Sequence, residues 1–154
     1  MKCLILYHSY HHNNTKKIAD AMAVATGALA RTTEEVKVEA LVQYDVIGFG
    51  AGIDSGRHYQ QLLDFAQGLP HATGKRCFLF STSAVQGESK VAKDHACLRK
   101  ILLAKGYQIL GEFSCKGYNT NSFLKYLGGM NKERPNAEDV RKAKEFAQRM
   151  VAAS

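Results

Sequence analysis

The stretch "ILYHSYHHNNTKKIADAMA", from Ile5 to Ala23, changes character twice. An apolar run stops at Tyr7, a knot of histidines, asparagines and hydroxyls follows, and then Ile18, Met22 and Ala25 recur at helical spacing. A short continuous apolar run is how a strand buried on both faces reads, and the recurrence predicts a helix with one buried side. The knot therefore lies at the carboxyl end of a first strand and at the start of a first helix.

The same order repeats along the chain. "YDVIGFG" (44–50) and "KRCFLFS" (75–81) are further buried strands. Helical sets follow each of them: Tyr59, Leu62, Leu63 and Ala66 after the first, Val91, His95, Leu98 and Leu102 after the second. "GYQILGEFSC" (106–115) alternates polar and apolar residues, as a strand nearer the sheet edge does. The closing segment predicts a helix with Asn136 as N-cap, Glu138 and Asp139 in its first turn, and Val140, Ala143, Ala147 and Met150 on one face. For the second strand "GALARTT" (27–33) is preferred, with "VKVEALV" (36–42) as its competitor. Alternating strands and helices with short loops predict a doubly wound α/β sandwich with right-handed crossovers. Such sheets bind ligands at the carboxyl ends of their strands, near the topological switch point.

At 154 residues the chain fits one domain, expected over residues 1–154. Its composition, 45% hydrophobic and 23% charged, is that of a soluble globular protein, and no apolar run reaches the roughly 18 residues of a membrane span. The start, Met1-Lys2 and then a strand, lacks the pattern of a secretory signal, so the cytoplasm is the expected location. Cys3, Cys77, Cys97 and Cys115 show neither a C-x-x-C pair nor zinc spacing. The first three are expected to act as small buried hydrophobes. Cys115, at a strand end beside Lys116, is read as structural, with Lys116 the one reason to consider reactivity. A formal charge of +7 favours acidic partners without choosing among them. No basic stripe interleaved with exposed aromatics argues for nucleic acid.

Three loops lie at the expected ligand-binding edge. "SYHHNNT" supplies hydroxyls from Ser9, Tyr10 and Thr15, amides from Asn13 and Asn14, the imidazoles of His11 and His12, and backbone N–H groups at a helix start. Those are the parts of an anion cradle, with phosphate the leading ligand and a metal disfavoured by the irregular histidine spacing. Neither a P-loop nor a G-x-G-x-x-G fingerprint is present. "GAGIDSGRHY" (50–59) and "STSAVQGES" (81–89) can hold a flat, polar-edged ring by backbone hydrogen bonds. A planar aromatic cofactor with one phosphate fits all three loops.

From Lys2 to about Met150 the sequence resembles the flavodoxin-type FMN-binding proteins. The resemblance is carried by the strand running into a Ser…Asn-Thr loop, by "YDVIGFGAGI" and "FLFSTSA", and by "GEFSCKGYNT" with "GGMNKERPNAEDVRKAKEFA", the last two resembling a small-flavodoxin subgroup. It implies a flavodoxin-like sandwich with a five-stranded parallel sheet in the order 2-1-3-4-5 and FMN held without a covalent bond. Ser9, His12, Asn13, Asn14 and Thr15 would surround the phosphate. The second loop, with Ala51, Gly52, Ile53, Gly56 and Tyr59, would cover one ring face, and Thr82, Ser83, Ala84 and Gly87 would meet the ring edge. The stacking aromatic is expected to be Tyr59, with Tyr10 or Tyr118 as substitutes.

Two of the loops depart from the family pattern: the first carries one extra residue, with His11 and His12 where Thr is usual. Asn13 stands where Gly is usual; Asn tolerates the left-handed conformation best, so the turn is expected to survive. Ala84 also replaces a Gly, which narrows the pocket if a positive φ is needed there.

The resemblance implies electron transfer, the flavin doing the chemistry and the loops setting its potentials, with Gly52 or Gly56 as the peptide that reorients toward the reduced ring. Redox partner proteins would dock through acidic surfaces onto a basic rim drawn from Arg57, Lys90, Lys93, Lys116 and Lys132. Two alternatives stand beside it. One is an FMN-dependent reductase or oxidase of a quinone-like or porphyrin-like acceptor, with residues 118–122 over the flavin. The other is an interaction module that has lost FMN.

Overall fold

A computed structural model describes residues 1–10, 13–117 and 133–154. The opening apolar run forms β1 (Cys3–His8), and the knot leads into α1 (Asn14–Thr26). β2 (Leu29–Thr32) falls within "GALARTT". Most of the competing segment instead winds into a 3-10 turn, Val38–Gln43, because the Lys75 ammonium gathers the carbonyls of Leu41, Val42 and Tyr44 at 2.9, 3.0 and 2.6 Å. Then come β3 (Val46–Asp54), β4 (Arg57–His58), α2 (Gln60–Gln67), β5 (Arg76–Ser83), α3 (Glu88–Ala104), β6 (Gln108–Lys116) and α4 (Ala137–Ala152).

Five strands run parallel in the spatial order β2-β1-β3-β5-β6, the expected topology, with β6 at an edge. A sixth strand was not expected. β3 continues four residues past Gly50, and Ser55 and Gly56 both take positive φ, 54° and 79°, so the chain reverses and β4 pairs antiparallel with Ile53 and Asp54. Consecutive positive φ values give a tight hairpin turn of the hand that matches strand twist. Ala51, Gly52 and Ile53, expected in a loop, are therefore strand residues, as are Thr82 and Ser83 at the end of β5.

β1 shows why its sequence is apolar throughout. Leu4 and Leu6 point into one core with Ile47, Phe49, Leu62, Leu63 and Leu98, under α2 and α3. Ile5 and Tyr7 point into the other with Ile18, Met22, Phe78, Phe80 and Phe146, under α1 and α4. Successive side chains of a strand face opposite sides, and each fully buried aliphatic contributes about 1.5–3 kcal/mol. Of the three cysteines expected to be buried only Cys77 is. Cys3, at the start of β1, and Cys97, on α3, are half-buried, and all four thiols are free. Among the described residues no helix is long and apolar enough to cross a membrane.

Candidate functional site

The carboxyl ends of β1, β3, β5 and β6 form one row. His8 pairs with Ala51, Gly52 with Thr82, and Thr82 with Cys115. From this row the chain leaves β1 through Ser9 and Tyr10 and reaches α1 through Asn13, whose φ of 53° and ψ of 32° are left-handed. Asparagine thus keeps the turn that glycine would make. Asn13 gives α1 no side-chain cap, and the first turn holds no acid. Ser9 Oγ accepts the Lys16 N–H at 3.3 Å, so part of the helix start is braced from the strand end. The Thr15 and Thr82 hydroxyls, both buried, share a hydrogen bond of 2.9 Å that ties the first loop to the third. Asn14 opens the helix half-buried, and His11 and His12 lie outside the described residues.

Tyr59 organises the second loop. Its N–H donates to the Gly52 carbonyl at 3.0 Å, and its ring lies so close over Gly52 that a Cβ there would be 2.6 Å from Cε2. The ring also meets His8 and Tyr10 edge-on, with centroids 6.0 and 5.9 Å apart. Tyr10 is 60% exposed, whereas Tyr59 is half-buried and packs partly on the α2/α3 core. Both aromatics nominated among the described residues therefore stand together at the row, and Tyr118 lies outside them. Gly56 sits exposed at the hairpin tip and Ile53 is half-buried.

In the third loop Thr82 and Ser83 are buried and Ala84 half-buried. Among the described residues only Asn13 and Ser55 combine a side chain with positive φ, so Ala84 carries no such strain. Gly87, at φ 144°, precedes α3. The expected rim is only partly available: Arg57 and Lys93 are exposed, Lys116 is half-buried, Lys90 pairs with Asp94 at 2.6 Å, and Lys132 lies outside the described residues. Burial pushes the Cys115 thiol up to about 12, with Asp139 adding to the effect, so no thiolate is available for reaction at neutral pH.

A buried polar chain beneath the third loop was not foreseen from the sequence. Ser81 Oγ lies 2.7 Å from His95 Nε2, His95 Nδ1 lies 2.8 Å from Glu112 Oε1, and Arg99 clamps Glu112 with two bonds of 2.7 Å. Burial would raise the Glu112 carboxyl, but the hydrogen bonds from His95 and Arg99 outweigh it and hold it at about 2. The order Ser, His, Glu is that of a hydrolytic triad, yet Ser81 is 1% and His95 0% exposed, so no acyl substrate reaches the hydroxyl. Beside it, His58 Nε2 donates to the Phe80 carbonyl at 3.0 Å, which leaves the buried Nδ1 without a partner. Burial, then the charge of His95, lowers His58 to about 3. The sequence held one signal, a histidine in the apolar stripe of α3, but its partners lie on other elements.

Compared with known proteins, residues 4–151 match the flavodoxin domain family. The chain belongs to the flavodoxin family. A relative in Methanocaldococcus jannaschii, described as an uncharacterized protein, is 42% identical over 151 residues, covering 98% of this chain and 99% of that one. Oxidised flavodoxin 2 from Bacillus cereus superposes with a TM-score of 0.75 at 19% identity, each chain covered fully. The same fold occurs inside a larger protein, the rubredoxin oxygen:oxidoreductase of Desulfovibrio gigas, with a TM-score of 0.68 at 16% identity, covering 99% of this chain and 35% of that one. At these identities the two structures bear on the fold.

Proposed function

We propose that this chain, as one domain, binds FMN noncovalently at the carboxyl edge of its sheet and serves as an electron carrier. One observation carries the reading: Asn13 leads in the left-handed conformation into a helix start that its own side chain does not cap and that holds no acid, Ser9 Oγ braces the Lys16 N–H there, and Thr15 locks that start to the third loop. A helix N-terminus of that kind suits a phosphate, and Ser9, Asn13, Asn14 and Thr15 supply hydroxyls and amides of the right chemistry. Tyr59 and Tyr10 offer aromatic surface, and the segment from Thr82 to Gly87 offers backbone groups to a ring edge. Bound FMN would supply the redox chemistry, taking up and passing on electrons at its isoalloxazine.

The chain's own residues then bind, orient and tune. Of the two glycines considered for peptide reorientation, Gly52 is held as a strand residue under Tyr59 with its carbonyl engaged, whereas Gly56 is exposed at a turn. Gly56 is therefore the residue assigned that movement. The net charge of +7, with Arg57 and Lys93 exposed near the edge, fits redox partners with acidic docking surfaces. The test is reconstitution with FMN, reductive titration, and assay with reduced nicotinamide and a quinone. A carrier gives reversible bleaching and negligible turnover without a reductase. Sustained turnover by the protein alone would establish the reductase reading instead, and failure to take up FMN the interaction-module reading.

A further inference from the structure

Two stretches supply none of the residues assigned to FMN, although they carry the subgroup resemblance: "GEFSCKGYNT" and "GGMNKERPNAEDVRKAKEFA". Their described parts meet at one cavity of about 360 Å³, where the carboxyl end of the edge strand β6 faces the start of α4. The first stretch contributes Phe113 to Lys116, and the second Arg134, Asp139 and Lys142. Gln86 closes the lining from the third loop, held by bonds of 2.8 Å to Ser83 Oγ and 3.0 Å to Ser114 Oγ. A cavity of that volume lies at the small end of ligand pockets.

Its charged wall is preset. Arg134 Nε and Nη2 donate to the two carboxylate oxygens of Asp139 at 2.5 and 2.6 Å, and Nη1 has no partner among the described residues. Asp139, 4% exposed, also accepts the Asn136 N–H, and the Lys17 ammonium on α1 donates to the Pro135 carbonyl at 2.7 Å. The guanidinium is therefore held in place before any ligand arrives, which removes the ordering cost of a free side chain. The Lys116 and Lys142 ammonium groups pair with no carboxylate among the described residues. Three cations thus stand against one carboxylate, and Cys115, kept neutral by burial, adds no charge. Like charges gathered around a concavity attract a counter-ion. Phe113, backed by Phe146 at a centroid distance of 5.5 Å, gives the same cavity an apolar wall.

We propose that this cavity is a second anion site, apart from the cradle at the start of α1, and that it takes a small organic dianion, its charged groups carboxylate or phosphate and its short carbon body against Phe113. The surplus of two positive charges sets the charge of the ligand. Lys116, half-buried, and Lys142, exposed, supply the charges not already matched, while Arg134 offers a fixed donor through Nη1. The inference does not rest on the flavin reading, because none of these residues is assigned to FMN.

The experiment is residue-resolved amide NMR of the ligand-free chain at about pH 7 and constant ionic strength, titrated separately with succinate, glycerol phosphate and propionate. The expected result is saturable shifts at residues 113–116 and 134–142, half-complete at about 1 mM with one of the two dianions and about tenfold weaker with propionate. Whichever dianion binds more tightly assigns the charged group as carboxylate or phosphoryl. Lys142→Gln and Lys116→Gln should each weaken that dianion about tenfold. Lys37→Gln, which removes an exposed charge after β2 at the opposite edge of the sheet, should leave it unchanged. Shifts that rise without saturating, shifts confined to residues 9–16, propionate binding as tightly as the dianions, or equal weakening in all three variants would each overturn the proposal.

Discussion

Two helices that pack against each other, α1 and α4, both begin at an asparagine and use it in opposite ways. At α4, Asn136 Oδ1 accepts the Asp139 N–H at 2.9 Å while Asp139 accepts the Asn136 N–H at 2.8 Å. Arg134 clamps the same carboxylate, and Glu138 adds a second acid to the first turn. At α1, Asn13 turns left-handed, caps nothing, and is followed by Lys16 and Lys17 rather than by acids. The first arrangement satisfies a helix start from its own cap residue and acids; the second, with only the Lys16 N–H met by Ser9 Oγ among the described contacts, suits the phosphate proposed above. Capping residue type alone does not distinguish a structural helix start from a binding one. Backbone conformation and first-turn charge are where these two starts differ.

Acid should bring the largest loss of stability, most of it from β4 and the rest from the start of α4. His58, lowered to about 3 from 6.5, contributes stability that is full above 6.5 and is lost as pH falls toward 3. The slope for one proton is about 1.4 kcal/mol per pH unit, so stability at pH 4 should be about 3 kcal/mol below that at pH 7. Asp139 is also lowered, burial opposing and the bonds from Arg134 and the Asn136 N–H prevailing, so its contribution survives down to 3.8 and is lost below. Urea melts across pH should show the first slope, and His58→Gln should flatten it while leaving the loss below pH 3.8.

Making α1 resemble α4 comes next. Asn14→Asp places an acid in the first turn, which should add about 0.5 kcal/mol to stability through the helix dipole and weaken FMN about a hundredfold. Opposite signs in melting and in ligand titration are the signature. A variant that binds FMN as before would contradict the anion reading of this helix start. Thr15→Val cuts the bond to Thr82 and leaves a buried hydroxyl, with an expected cost of about 1–2 kcal/mol in urea melts. Smallest is Asn136→Ala, a cap loss of about 1 kcal/mol by the same melts with no change in FMN affinity.

How much of this was legible depends on the range of the interaction. β1 and α1 could be read because their apolar spacing is local, and Asn136 because a capping box is contained in four residues. The extension of β3 could not, since Ala51 to Asp54 carry little strand character and are held by pairing with β1, β4 and β5. The three segments do begin at the carboxyl ends of β1, β3 and β5, although Ala51 to Ile53 and Thr82 to Ser83, read as loop, are strand. Their contacts across loops, such as Thr15 with Thr82, span 67 residues and leave no periodic trace. His95 was read only as part of an apolar stripe, because Ser81 and Glu112 reach it from two other elements.

The central claim is that the loop from Ser9 to Thr15 recognises a phosphate on a flavin. The most direct measurement is calorimetric titration of the ligand-free protein with FMN and, separately, with riboflavin, which lacks the phosphate. The account predicts one FMN per chain at micromolar affinity or tighter and riboflavin weaker by about a hundredfold, the loss of several charge-assisted hydrogen bonds. Equal affinities for the two, or no binding of either, would contradict it.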